Sequence, residues 1–178
     1  MRIAIILLNW NGKKDTLECL HSLTHLTYQH YKVIVADNGS TDDSIQSISS
    51  LYPDVILIDN KKNLGFAEGN NRAITYALNN HFDGLLLLNN DTIVDPSLLD
   101  AFVSTAQKHP KAILGAKVYL YSQRDTLDHF GGSWNPHKAH FDLVGHRQQE
   151  DHTSWEHPFE IDYICGCALF LQRMPSKK

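Results

Sequence analysis

Residues Leu85–Asp95 read LLLLNNDTIVD: four successive leucines, then two amides and a carboxylate. Four apolar side chains in a row leave no polar face. A strand made of Leu85, Leu86, Leu87 and Leu88 is therefore covered on both sides, as in a parallel sheet flanked by helices. Open sheets of that kind bind ligands in the crevice beyond the carboxyl ends of their strands. Asn89, Asn90 and Asp91 stand at such an end, and Pro96 follows at a predicted helix start.

Working outward, the same alternation recurs. Ile3–Leu8 is a β-branched apolar run that stops at Asn-Trp-Asn-Gly, and Asp15–Leu23 carries Leu17, Leu20 and Leu23 near helical spacing. Tyr31–Ala36 predicts a second strand, closed by Asp37-Asn38-Gly39-Ser40, after which Asp42 or Ser40 can cap a helix through Leu51. Val55–Ile58 predicts a third strand, Gly65–Leu78 a helix, Asp83–Asn89 the fourth strand, 96–108 a helix, and Ile113–Tyr119 a further strand. Strands alternating with helices imply βαβ units, hence an α/β fold with a mostly parallel central sheet. From Ser122 to Glu160 the pattern gives way to Gly131-Gly132, Pro136, Gly145 and scattered His and Asp, expected to form a long loop or a β-ribbon insertion. Ile161–Leu171 resumes an apolar segment read as buried, with Gly166 allowing close approach. The closing QRMPSKK offers neither a helix nor a strand, so the fold is expected to stop short of completion.

The 178 residues, 42% of them hydrophobic, suit one domain spanning 1–178. With 16 Lys and Arg against 20 Asp and Glu, no broad basic field exists to hold nucleic acid. The apolar run near the N-terminus, Ile3 to Leu8, is too short for a signal-peptide core or a membrane span, and a cytoplasmic chain is expected. Cys19, Cys165 and Cys167 match no common zinc or redox spacing and are read as buried reduced thiols.

Three predicted strands end in polar clusters: Asn9-Trp10-Asn11-Gly12, Asp37-Asn38-Gly39-Ser40 and Asn89-Asn90-Asp91. In a parallel sheet these ends share one edge. Trp10 can stack on a base or pack against the protein; Asp37 can accept from a base or ribose or simply form a turn; Asp91 can bind a divalent cation or cap the next helix. Asn63–Asn71, NLGFAEGNN, adds a turn into a helix where Gly65 and Gly69 permit close backbone approach and the N-terminus favours an anion. Neither a G-x-G-x-x-G fingerprint nor a P-loop is present, which argues against a dinucleotide or P-loop enzyme.

Together these motifs resemble glycosyltransferase family 2, of GT-A Rossmann-like fold, particularly its rhamnosyltransferase-like branch. IILLNWNG is similar to the family's first strand and loop, VIVADNGSTDDS to its second-strand motif, NLGFAEGNN to its helix start, LLLNNDTIVDP to its metal motif, and IDYICGCALFLQR to the later strand leading towards the acceptor. The resemblance implies an inverting, metal-dependent transfer of sugar from a nucleotide-diphosphate donor to a saccharide or lipid-linked saccharide acceptor. The setting it implies is cell-surface polysaccharide or glycolipid synthesis in bacteria, at the inner face of the membrane. By position, Leu8, Asn9 and Trp10 would line the base pocket and Asp37 would bond the base. Gly65 and Asn70 would lie near the diphosphate. Asn89 and Asn90 would sit in an Asp-x-Asp motif whose last member, Asp91, binds Mg²⁺ or Mn²⁺. Asn89 replaces the motif's first acid, so Asp91 supplies the anionic metal contact alone.

The family's general base belongs to a Glu-Asp motif some tens of residues after the segment matched by Gly166, and is expected beyond Lys178. The chain is thus read as the donor-binding portion, with the acceptor and base portion missing. Glu150-Asp151 precedes that segment and is a poor match; Asp162 is read as packing or capping backbone. Six of the eleven histidines, His129, His137, His140, His146, His152 and His157, crowd the polar insertion without metal-ligand spacing, and a solvated loop is expected rather than zinc. Three readings stay open: a glycosyltransferase, a donor-binding but catalytically incomplete fragment, and a nucleotidyltransferase. Membrane contact and homo-oligomerisation are also left open.

Overall fold

The computed structural model describes residues 1–149 and 157–174. Its core is a six-stranded sheet built from β1 (Ile3–Asn9), β2 (Tyr31–Asp37), β3 (Ile56–Asp59), β4 (Gly84–Leu88), β5 (Ile113–Gly115) and a late strand, Ala168–Gln172. The helices are α1 (Lys13–Leu23), α2 (Ser44–Leu51), α3 (Gly65–Asn79) and α4 (Leu98–Lys108). Between β5 and the late strand lie β6 (Val118–Leu120), β7 (Gln123–His129), β8 (Gly132–Asn135) and β9 (His140–Leu143), which makes the late strand β10. The sheet order is β3-β2-β1-β4-β10-β5. The first four strands in that order pair in parallel, and β10 runs antiparallel to both β4 and β5.

The two-sided strand expected from the leucine run is present. Leu86 and Leu88 join Ile3, Ile5 and Leu7 of β1 in one core with Leu20 of α1, Ile48 of α2 and Phe102 of α4. Leu85 joins Ala4 and Ile6 in a second core on the opposite face, against Ala73 and Ala77 of α3. Full burial of each large aliphatic chain contributes about 1.5–3 kcal/mol. Small residues at 69, 73 and 77, one helical turn apart, let α3 lie close to the sheet. A Cβ at Gly69 would sit 2.7 Å from Leu8 Cδ1 and 2.9 Å from Asn38 Oδ1.

Because α1 and α2 cover one face and α3 the other, the winding reverses between β1 and β4. That reversal opens a crevice at the strand ends.

Three expectations need correction. Ile113–Tyr119 is not one strand: β5 joins the main sheet, whereas β6 pairs antiparallel with β7 in a separate ribbon. The Ile161–Leu171 segment is buried only from Ala168 onward; Asp162, Tyr163 and Gly166 are exposed, and the polar residues interrupting the apolar run account for the difference. The helix expected from 96 begins at Leu98, because Asp95 Oδ1 first accepts the Ser97 N–H at 2.8 Å and closes a turn. The insertion takes the ribbon form, β6–β7 and β8–β9. Among the described residues no helix is long and apolar enough to cross a membrane.

Candidate nucleotide-sugar site

Asn9 and Asp37 are register partners at the ends of β1 and β2, and both are buried. A carboxylate taken out of water needs donors, and Asp37 has three. Asn9 Nδ2 donates to Oδ2 at 2.6 Å, Ser40 Oγ donates to the same oxygen at 2.7 Å, and the Ser40 N–H donates to Oδ1 at 2.7 Å. The side chain thus faces inward and ties the two strand ends together. Next to it, Asn38 bridges to the start of α3. Its amide donates to Asn63 Oδ1 at 3.2 Å and to the Gly65 carbonyl at 3.1 Å, and its oxygen accepts from Asn60 Nδ2 at 3.1 Å.

At the crevice itself a cleft of about 210 Å³ is lined by Leu8, Phe66, Asn70, Leu87, Leu88, Asn89, Asn90, Asp91 and Gly166. Five of the residues singled out in the sequence, Leu8, Asn70, Asn89, Asn90 and Asp91, therefore share one wall-to-wall space. Asn70 is nearly buried, with its amide donating to the Phe66 carbonyl at 2.9 Å. Gly65 opens α3 with φ +76°, a conformation glycine adopts without strain. Trp10 lies outside the cleft lining and is 58% exposed. A larger groove of about 920 Å³, between α4, β5 and residues 157–164, is lined mainly by apolar chains such as Phe102 and Ile164 and lacks the convergent amides.

The turn carrying Asp91 is held from both sides. The Asn89 N–H donates to the Cys167 carbonyl at 2.9 Å, and Thr92 Oγ1 donates to the Asn89 carbonyl at 2.8 Å. Asn90 Nδ2 donates to Thr16 Oγ1 at 2.9 Å, and that hydroxyl donates to Asn9 Oδ1 at 2.8 Å. Asp91 itself is exposed. Among the described residues it is the one carboxylate lining the cleft, so a cation there would complete its shell from amide oxygens, phosphate oxygens and water. Mg²⁺ and Mn²⁺ are commonly held that way, by one or two carboxylates plus substrate phosphates, and the donor set fits them.

The thiols near this turn are not activated. Burial pushes Cys19 up to about 11, and the nearby Asp91 adds a smaller rise against the lowering hydrogen bonds from Thr92. Burial likewise raises Cys167 to about 11, with Cys165 and then Asp91 contributing. All three cysteines are free, but only Cys19 is buried; Cys165 and Cys167 are half-buried where the apolar run is broken.

Asp162 Oδ2 accepts the Trp134 N–H at 2.8 Å, the backbone-capping role expected of it. His140 contacts Asp142 at 2.7 Å, and His129 Nδ1 accepts from the Gly131 N–H at 3.0 Å. Among the described residues no three His, Cys, Asp or Glu gather into a metal-binding group. Glu150-Asp151 and His152 lie outside the described residues.

Sequence reasoning missed Thr16, and it placed Asn38 and Ser40 in the polar cluster after β2 without their bonds to the start of α3 and to Asp37. Thr16 left a trace: it stands three, four and seven residues before the buried Cys19, Leu20 and Leu23, so its hydroxyl was due on the core face of α1.

The model of glycosyl transferase family 2 matches residues 4–174. The chain belongs to that family. Among curated family relatives, an uncharacterised glycosyltransferase of Haemophilus influenzae is 27% identical over 172 residues, covering 94% of this chain and 47% of its own length. An N-acetylglucosaminyl-diphospho-decaprenol L-rhamnosyltransferase of Mycobacterium tuberculosis is 32% identical over 101 residues, 52% of this chain and 33% of that one. The chain thus spans less than half the length of either relative. The fold is similar to that of Staphylococcus aureus TarS 1–349 (TM-score 0.62, 19% identity, 75% of this chain and 41% of that one). It is also similar to the mannosyltransferase PcManGT of Pyrobaculum calidifontis, solved with GDP-Man and Mn²⁺ (TM-score 0.59, 18% identity, 66% and 35%). The family 2 assignment and the α/β fold with a mostly parallel sheet agree with the reading of the sequence.

Proposed function

We propose that this family 2 chain binds a nucleotide-diphosphate sugar at the strand-end cleft and serves its transfer, with inversion, to a hydroxyl of a saccharide or lipid-linked saccharide. The observation that carries the reading is the convergence of Asp91, Asn89, Asn90 and Asn70 on one cleft at the reversal between β1 and β4. Leu8 in the cleft and the exposed Trp10 would meet the base, whereas Asn9 and Asp37, both buried and bonded to each other, would hold the loops behind it rather than bond the base as expected from the sequence. The opening turn of α3 at Gly65 would lie towards the diphosphate. Asp91, with the amides of Asn89 and Asn90, would hold Mg²⁺ or Mn²⁺. Such a cation neutralises charge on the leaving diphosphate. The Mn²⁺ and GDP-Man bound to PcManGT support both the donor class and the metal. The decaprenol-linked substrate in the name of the mycobacterial relative supports a lipid-linked acceptor, and with it polysaccharide or glycolipid synthesis at a cytoplasmic membrane face.

The Asp91 carboxylate belongs to the metal in this scheme, and among the described residues no second acid lines the cleft. The scheme therefore assigns donor binding to these residues and the proton of the acceptor hydroxyl to a base outside the cleft lining.

Calorimetric titration of UDP, dTDP, GDP and the corresponding nucleoside triphosphates, with and without Mn²⁺, tests the proposal. Metal-dependent diphosphate binding that is abolished in Asp91→Ala is expected. Metal-independent binding would overturn it, and preference for nucleoside triphosphates would overturn it in favour of a nucleotidyltransferase.

A further inference from the structure

The hydrogen bonds behind the cleft have a fixed polarity. The Gly12 N–H can only donate, and it meets Asn9 Oδ1 at 3.2 Å. That contact sets the Asn9 amide with its oxygen towards α1 and its Nδ2 towards the Asp37 carboxylate. Thr16, fully buried in the first turn of α1, has one hydroxyl proton and faces Asn9 Oδ1 at 2.8 Å. It must donate there, so towards Asn90 it can only accept. Asn90 answers with Nδ2 at 2.9 Å. Its carbonyl oxygen is left for the cleft, beside Asp91. Glycine at 12 makes room for the arrangement, since a Cβ there would lie 2.8 Å from Asn90 Nδ2.

We propose that Thr16 is a positioning residue: it transmits the orientation set by Asp37 and Asn9 to Asn90, so that the cleft receives a carbonyl oxygen rather than an amide NH₂. An oxygen next to Asp91 accepts from a sugar hydroxyl or approaches a cation; an NH₂ there repels the cation. The relay stands on its own geometry, and its effect on donor binding rests on the function proposed above.

The test uses the full chain with two readouts. In wild type, exchange of the Asn90 side-chain amide protons, followed by NMR, is expected to be slowed by the Thr16 contact; free exchange would overturn the relay without any variant. Thr16→Val is expected to speed that exchange about tenfold or more and to weaken Mn²⁺-dependent UDP binding about fivefold or more. The backbone amide spectrum of Thr16→Val should match wild type away from residues 9, 16 and 90, which a general loss of structure would not permit. Thr16→Ser should restore both. Unchanged Asn90 exchange in Thr16→Val, or a Thr16→Ser variant as impaired as Thr16→Val, would refute the relay. Protected Asn90 protons in a wild-type chain that shows no Mn²⁺-dependent UDP binding would support the relay and refute the proposed function.

Discussion

Asn9 donates its side-chain amide to Asp37 across 2.6 Å, between register partners that are both sealed from solvent. The pair is the knot that closes the β1 and β2 ends, and the loops carrying Trp10 and Ser40 spring from it.

Asp37→Asn should destabilise the fold while barely changing its volume. Asp37 accepts from three donors; an asparagine there turns an NH₂ towards either Asn9 or Ser40, and one buried donor goes unpaired. A loss of about 1–3 kcal/mol is expected in urea unfolding.

Gly69→Ala should impair the cleft through packing. The added methyl would meet Leu8 and Asn38 at under 3 Å, and backing α3 away would move both Asn70 and the Phe66 wall. A destabilisation of about 1–3 kcal/mol, together with weaker nucleotide binding by calorimetry, is the expected outcome.

Trp10→Ala separates binding from stability. With the indole mostly in solvent, its removal should leave the urea midpoint within about 0.5 kcal/mol of wild type. Uridine or thymidine diphosphate binding should fall by about tenfold, the stacking loss expected for a base on an aromatic face. Unchanged affinity would place the base elsewhere.

Alkaline pH should loosen the fold through Cys19 and Cys167. Their folded-state values, about 11, lie above the ordinary 9.0, so the folded state holds the thiol protons more tightly than the unfolded one. The associated stability is whole below pH 9 and is lost as pH climbs towards 11. Urea midpoints measured from pH 8 to 11 should decline across that window, and both thiols should react sluggishly with a disulfide reagent at pH 8.

The sequence disclosed the parts of this molecule governed by local pattern. Four leucines in a row announced a strand covered on both faces, and the polar clusters after β1, β2 and β4 announced a shared edge, because parallel strands bring their carboxyl ends together. What stayed hidden depends on pairing between distant segments. Nothing in ILGAKVYL shows that its halves join different sheets, since the partner of β5 is β10, more than fifty residues on. Thr16 stayed hidden for a related reason: a buried hydroxyl reads as an imperfection in a helical stripe until Asn9 and Asn90 are seen on either side of it. The inward turn of Asp37 likewise follows from Ser40 folding back over it, a contact that the spacing allows but does not require.

The carbonyl of Cys167 that holds the Asn89 N–H has a bearing on the order in which the protein acquires its parts. Strands β1 to β4 and the α3 layer are contained within the first 88 residues and can assemble while the remainder is still being synthesised. The Asp91 turn can bond Thr16 and Thr92 early, but it lacks its hold on the sheet until residue 167 arrives and β10 threads in antiparallel fashion between β4 and β5. Closing that long loop carries an entropic penalty before any contact rewards it. A nascent chain would thus close the β1 and β2 ends well before the turn carrying Asp91 gained its hold on residue 167, so the two sides of the crevice are completed at different times.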